Sequence, residues 1–546
     1  MLVDLRRILG LLSICALVGA GCSSGASDAA DAPGAPDTTS TEPNDATDGS
    51  ASPAFAEPAN PGADGIGDER FPLAGNGGYE VASYELTLDW DPGAAFLDAN
   101  ATIVANATED IDAFNLDLIA MDVTRVQVND QEVMFSRDGQ ELTILAGELL
   151  AAGSSFDVSI DYSGTPTSFN NGIAEIGWRF DGTTSVALGE PDGAAHWYPV
   201  NDHPSDKANY RFVVTAPSEL TVAANGHRED MVDNGDGTST WTYAGEGDQP
   251  PHATLLAIGE YELIEGGEVD GVRIRHFVSP SATEATRLEL EGTADDLRRM
   301  TELLGPYPFE TYGYLTVEGP FPGALETQTL TAIGVDLVSP GIRRHELAHA
   351  WFGNFISIAR WDDLWMAEGF ATFFTTAPFQ DLTDEQLDEE IGRTARQLDG
   401  LIDAPPFAPG PGIFELFGAS TYNRGGLALQ AMQAELGEDL FYEVLRAFID
   451  RHGGGVASTQ DFIDVVNETS GQDLTELFDV WLFMDGLPDV WNGIPLVAAD
   501  GGAPDTIADA FPPDLVECLE DQGLAANTPL NELGPDNEEA LLACEP

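Results

Sequence analysis

The stretch Arg344-His345-Glu346-Leu347-Ala348-His349-Ala350-Trp351 carries two imidazoles four residues apart, and Glu368 follows after eighteen intervening residues, in Trp365-Met366-Ala367-Glu368-Gly369-Phe370. Residues four apart on an α-helix share one face, so His345 and His349 can hold one metal ion with Glu346 beside them as a base. Ser339 and Pro340 read as the N-cap and first turn of that helix, which sets both imidazoles mid-helix. Glu368 sits at a separation suited to a second helix crossing beneath the first and supplies a third ligand. Two His and one Glu leave the fourth tetrahedral position of a zinc ion open, the arrangement of a hydrolase and unlike a closed structural site. A helical His pair can also be a plain polar patch. With 8 His in 546 residues, however, composition produces only on the order of 0.01 chance matches to HExxH, before the extended surroundings are counted.

Working outward, Leu290, Leu297, Met300 and Leu304 recur at helical spacing and open a second domain at 280–492, mostly helical and built around the metal helix. Short strands at Tyr314 to Val317 and Thr331 to Val335 precede that helix. Gly426 to Leu436, Phe441 to Asp450 and Leu474 to Met484 read as helices behind it, the last capped by Asp473 with Glu476. Upstream, Tyr84, Leu86, Leu88 and Trp90 alternate with polar residues, as do Phe114, Leu116 and Leu118, and further short strands follow at Val123 to Val128 and Phe156 to Tyr162. Half-buried strands punctuated by turns predict an antiparallel β-sandwich over 73–279. Asp233-Asn234-Gly235-Asp236-Gly237 lacks the alternating ligands and distal Glu of a calcium loop and reads as a hairpin turn.

The ends differ. Arg6 and Arg7 followed by the apolar run Ile8 to Ala20 form a signal peptide, too short to span a bilayer. Gly19-Ala20-Gly21-Cys22 resembles a bacterial lipoprotein processing site, with Gly19 departing from the usual large aliphatic residue; Cys22 would carry the lipid, and simple secretion is the alternative. Residues 23–72 are poor in large apolar side chains and read as a disordered tether. Residues 493–546 form an acidic tail in which Cys518 and Cys544 can pair as one disulfide in an exported protein. The expected localisation is the cell surface or periplasm, with membrane contact only through the lipid. Against 94 Asp and Glu stand 22 Lys and Arg, a net charge of −72, so nucleic acid and anionic membrane surfaces are poor partners. The 43% hydrophobic and 9% aromatic content is ample for packed cores.

His345-Glu346-Leu347-Ala348-His349-Ala350-Trp351-Phe352-Gly353-Asn354 together with Trp361-Asp362-Asp363-Leu364-Trp365-Met366-Ala367-Glu368-Gly369-Phe370 resembles the gluzincin aminopeptidases of the aminopeptidase N family. The resemblance extends through Glu190-Pro191, Trp197-Tyr198-Pro199, Asp202, Pro204 and Lys207, and covers roughly residues 79 to 491. It implies a saddle of β-strands followed by a thermolysin-like domain with one Zn2+ per chain, in a short form without the family's long helical C-terminal domain. Gly323-Ala324-Leu325-Glu326-Thr327 occupies the place of the family's Gly-x-Met-Glu-Asn, with Leu for Met and Thr for Asn. By this likeness Gly323, Ala324, Glu326 and Glu190 would bind substrate, the two carboxylates receiving the free α-ammonium of a peptide. Tyr422 in Tyr422-Asn423-Arg424-Gly425 matches the family's Tyr-x-Lys-Gly, Arg replacing Lys, and would donate to the oxyanion. The expected partners are peptides and the expected state is a monomer. Two other readings stay open: a zinc endopeptidase or other zinc hydrolase, if Leu325 and Thr327 disturb the amine anchor, and a non-catalytic surface binding protein.

Overall fold

The alternation from Tyr84 to Trp90 is realised as strand Tyr79–Asp91, whose apolar side chains face inward along its length. It lies in the middle of an eight-stranded sheet. Phe96–Ala107 pairs with it antiparallel on one side and Asn209–Pro217 parallel on the other. The parallel pair departs from the expected antiparallel pattern. Its cause is a crossover: the chain leaves this sheet, builds strands Glu175–Phe180 and Ser185–Leu188 of a second, five-stranded sheet, and returns at Asn209. Trp90, Trp178, Trp197, Tyr198 and Tyr210 fill the core of this region. The acidic Asp233-Asn234-Gly235-Asp236-Gly237 segment is the turn between paired strands His227–Asp233 and Thr238–Ala244.

The computed structural model describes residues 58–496, apart from 320, 322, 380, 381, 399 and 400, together with 519, 524, 525, 527 and 528. The expectations for the leader, for Cys22 and for a Cys518–Cys544 pair fall outside the described residues.

Strands Glu262–Val269 and Val272–Val278 join a six-stranded sheet with Tyr314–Val317, Thr331–Gly334 and the short edge strand Ala324–Leu325. This sheet shares the apolar core of the helices of the metal domain through Val269, Ile274, Val278, Tyr314 and Ile333. Strand character is local, whereas sheet membership depends on distant pairing, and only the former is written in the periodicity. Behind the sheet, helices Pro340–Ala348, Trp365–Thr376, Gly425–Leu436 and Glu438–His452 share one apolar core with Trp351, Phe370, Phe374, Phe448 and Phe462. The expected helix from Leu474 is a short turn, Thr475–Phe478, continuing into a π-helical turn, Asp479–Phe483; Asp473 Oδ1 accepts from Thr475 N.

The end of the expected tether is ordered from residue 58 onward. Asp68 is buried and its carboxylate accepts from Trp361 N at 3.0 Å and from Arg70 N at 2.8 Å, with His203 Nε2 at 3.2 Å. Arg70 donates to Asp362 at 2.8 Å, and Phe71 packs edge-on against Trp361. Composition misses this because the segment is held against both domains by scattered polar contacts and one ring, those of Asp64, Asp68, Arg70 and Phe71 among them, without a core of its own.

Buried carboxylates in the N-terminal region set a pH dependence. Asp206 accepts from Val81 N at 3.0 Å and from Asn201 Nδ2, yet burial lifts its pKa to about 8; burial likewise lifts Asp117 to about 6 against hydrogen bonds from Asp202 N and Gln140. Each folded pKa exceeds the unfolded value of about 4, so the folded chain holds the proton more tightly. That contribution is complete below about pH 4 and is lost as pH rises through 6 to 8. Thermal stability is expected to fall between about pH 5 and about pH 8.5, and Asp206→Asn to flatten the decline. An unchanged slope in the variant contradicts this assignment.

Candidate active site

Helix Pro340–Ala348 begins as its sequence dictates: Pro340 at the first turn and the Ser339 side chain accepting from Ile342 N. Arg343, on its buried face, bonds Asp296 through Nε (3.1 Å) and Nη2 (2.9 Å) and Glu289 through Nη1 (2.7 Å), while Arg344 Nε reaches Asp296 at 3.0 Å. These bonds fix the helix against the segment that precedes it. His345 lies in the last turn and His349 is the C-cap, so the helix ends at the second imidazole and does not run through it. Gly353, at φ +124°, turns the chain back, and a Cβ there would lie 3.2 Å from His349 Nδ1. The tight turn carries the Phe352 carbonyl to 3.2 Å from His349 Nδ1, which directs Nε2 toward the metal position.

Glu368 enters from the first turn of helix Trp365–Thr376. Its Oε2 lies 3.2 Å from His345 Nε2 and 3.5 Å from His349 Nε2. Burial opposes its charge, but His349 and hydrogen bonds from both imidazoles prevail and hold its pKa at about 2. Gly369, the next residue, rests directly on Gly425: a Cβ at Gly369 would meet Gly425 backbone at 2.9 Å. Two helices therefore approach to backbone contact beside Glu368, bringing in the turn Ser420–Arg424 with Tyr422. The Tyr422 ring stacks on His345, with centroids 6.0 Å apart and planes within 6°, and its hydroxyl hydrogen-bonds Glu368. Burial and the surrounding carboxylates raise the phenol well above its ordinary pKa, so it remains a donor.

Arg424, in place of the Lys of the resembled motif, is fully buried. It donates to six carbonyls: those of Trp481, Ile402, Asp403, Ala404, Val480 and Met484. The planar guanidinium satisfies a ring of acceptors that a single ammonium cannot span. Arg424→Met, which leaves these carbonyls unpaired, is expected to cost about 3–5 kcal/mol, as a broken buried charged network does. The corresponding drop in Tm is roughly 10 °C, measured by thermal unfolding; a change under about 2 °C would refute the role.

The residues fit a metal ion. Ligand atoms of His345, His349 and Glu368 all lie within 4.8 Å of one another and are buried. Two imidazole nitrogens and one carboxylate oxygen are a zinc donor set with a position left open. Glu346 Oε2 is buried with no hydrogen-bond partner among the described residues, an atom awaiting a proton donor beside that position. Burial, against the neighbouring imidazoles, moves Glu346 up to about 7.

The two remaining expected carboxylates are also here. Glu326 follows the edge strand Ala324–Leu325, with Gly323 at its head and the Gly323 carbonyl accepting from Gly334 N at 3.0 Å. Asn354 Nδ2 donates to the Glu326 carbonyl at 2.7 Å, and the Glu326 carboxylate lies within 4.8 Å of ligand atoms of Glu346 and His349. Glu190, beyond strand Ser185–Leu188, comes from the N-terminal region to the same place. Burial first, then Glu326 and the metal-site carboxylates, push its pKa well above the ordinary range, so a cation here would be strongly stabilised. His252 completes this group, its ligand atom within 4.8 Å of those of Glu190 and Glu326. Sequence reasoning missed it: no motif spacing marks it, and only the rarity of His in the chain and the preceding Pro250-Pro251 set it apart. Lys207, the one lysine, spans the two regions by donating to the carbonyls of Asn354 (3.0 Å), Phe355 (2.9 Å) and Gly455 (3.3 Å).

A two-His, one-Glu donor set for a metal on two packed helices, behind a β-rich N-terminal region, defines the class as a metallopeptidase fold. The profile of the peptidase M1 N-terminal domain matches residues 80–254, and that of the peptidase family M1 domain matches residues 302–481. The M1 zinc metallopeptidase from Deinococcus radiodurans superposes with a TM-score of 0.72 at 30% identity, over 78% of this chain and 98% of that one. Among curated proteins, aminopeptidase M1-B of Oryza sativa subsp. japonica is 25% identical over 75% of this chain and 50% of its own length. Aminopeptidase 2 of Candida albicans is 23% identical over 74% of this chain and 47% of its own. This chain spans about half the length of those curated relatives. It belongs to peptidase family M1, and the metal of its site is zinc.

Proposed function

We propose that the chain is a zinc aminopeptidase that removes single residues from the N-termini of peptides. One observation carries this: the Glu326 carboxylate lies within 4.8 Å of ligand atoms of both Glu346 and His349. An α-ammonium held there has its own carbonyl carbon only about 2.5 Å away along the chain, whereas each further carbonyl lies about 3.8 Å more distant. Only the first peptide bond is brought to the reacting position, a positioning effect that defines an exopeptidase.

Zinc held by His345, His349 and Glu368 supplies Lewis acidity toward the scissile carbonyl and acidifies water. Glu346 Oε2 takes the proton of the attacking water and returns it to the leaving amine. The Tyr422 hydroxyl donates to the oxygen that becomes negative. Glu190 and Glu326 hold the ammonium and orient the substrate. Support also comes from the relatives, which are named aminopeptidases, and from the Deinococcus radiodurans enzyme, of which a variant has been solved with a Tyr-Ser-Ala substrate. Mass spectrometry of a digested peptide tests the reading. Loss of one residue at a time from the N-terminus is expected; internal fragments would make the chain an endopeptidase.

The place of action belongs to the same reading: export by the leader and attachment through lipid on Cys22, supported by the sequence at 6–24. Radiolabelled fatty acid incorporation, lost in Cys22→Ser, tests it.

A further inference from the structure

The carboxylates proposed to receive the substrate amine share their pocket with an imidazole. Ligand atoms of Glu190, His252 and Glu326 lie within 4.8 Å of one another, and all three residues are at least nine-tenths buried, at 7%, 5% and 5% exposure. Two polar atoms of this group, Glu190 Oε1 and His252 Nδ1, have no hydrogen-bond partner among the described residues. An unpartnered buried polar atom is costly, and two together call for a ligand or water between them.

The three groups are held rigidly by backbone. Gly189 packs directly on the His252 main chain, where a Cβ would come within 2.5 Å of the His252 carbonyl, so Glu190 and His252 are locked side by side. Gln328 N donates to the Ala253 carbonyl at 3.0 Å, and Asn225 Nδ2 reaches both the Ala253 and Gln328 carbonyls, clamping the His252 turn to the loop that carries Glu326. Burial lowers the His252 pKa to about 3, which leaves the ring neutral and its lone pair free to ligate.

An ammonium needs only acceptors, and two carboxylates suffice. A neutral imidazole set among them adds a donor that a transition-metal ion prefers, whereas carboxylates alone would suit magnesium or calcium. We propose that Glu190, His252 and Glu326 form a second divalent-cation site, selective for zinc and related transition ions. Its occupancy excludes the α-ammonium, a consequence that rests on the aminopeptidase reading. The first zinc lies close by and repels the second dication, so the second site is the weaker one.

Calorimetric titration of the one-zinc protein with Zn2+, in buffer containing excess Mg2+ to occupy surface carboxylates, tests the site. A second equivalent is expected in the wild type, and in His252→Met and Glu190→Gln that equivalent is weakened at least about a hundredfold, while the first zinc, retained, reports a folded protein. A single equivalent in the wild type, or a second one that persists in His252→Met, overturns the proposal. In the Glu346→Gln protein, L-leucinamide is expected to weaken the second equivalent and N-acetyl-leucinamide to leave it unchanged. If the second equivalent is lost in His252→Met yet L-leucinamide does not compete, the metal site stands and the amine anchor falls.

Discussion

Glu346→Gln is expected to lower kcat by about 10³-fold, within the 10²–10⁴ range that general acid–base catalysis supplies, with KM and zinc content nearly unchanged. Gln keeps the shape of a side chain only 6% exposed, so packing is preserved. What disappears is the atom that accepts a proton: Oε2 has no partner among the described residues, and Glu368, the carboxylate that faces both imidazoles, is taken up as the third metal ligand. His345 and His349 remain oriented, His349 through the Phe352 carbonyl and His345 by Glu368 and the Tyr422 ring. Steady-state kinetics with metal analysis on one preparation checks this. A variant that retains more than a tenth of the wild-type kcat would remove Glu346 from the proton transfer.

Glu326→Gln strikes the other half of the site. A buried ammonium that loses one of its carboxylate partners costs about 3–5 kcal/mol, which corresponds to a fall in kcat/KM of roughly 10²–10⁴-fold. The loss should appear in kcat as well as KM, since the anchor also sets where the first carbonyl sits. Glu190→Gln acts in the same direction. Because Glu190 and Glu326 share one cation, the double variant should lose less than the sum of the two single losses. Full additivity would mean that the carboxylates serve separate purposes.

The metal centre was legible because its chemistry is local in sequence. His345, Glu346 and His349 sit on one helical turn, Ser339 and Pro340 start the helix that carries it, and Glu368 follows at a characteristic distance. Even there, the end of the helix at His349 depended on the Gly353 turn, whose backbone angle no periodicity records. Strands were legible from alternation, but not the parallel pairing of Tyr79–Asp91 with Asn209–Pro217, nor the transfer of Glu262–Val278 to the catalytic sheet, since both are set by distant partners. Arg424 stands where the resembled motif has Lys, and the sequence gives no reason for it; six carbonyls from two distant segments explain it. His252 and Asp68 stayed hidden for the same reason. Each acts through side chains brought together from separate segments, and neither belongs to a spaced motif.

On the proposed reading a free α-ammonium, held by Glu190 and Glu326, brings the first peptide bond to the zinc-binding residues. Hydrolysis of one peptide with a free and with an N-acetylated terminus, with and without a chelator, tests this directly. Chelator-sensitive cleavage of the free form, with the acetylated form slower by at least about 10²-fold as loss of a buried charge pair requires, is the predicted result. Equal cleavage of both forms would contradict it.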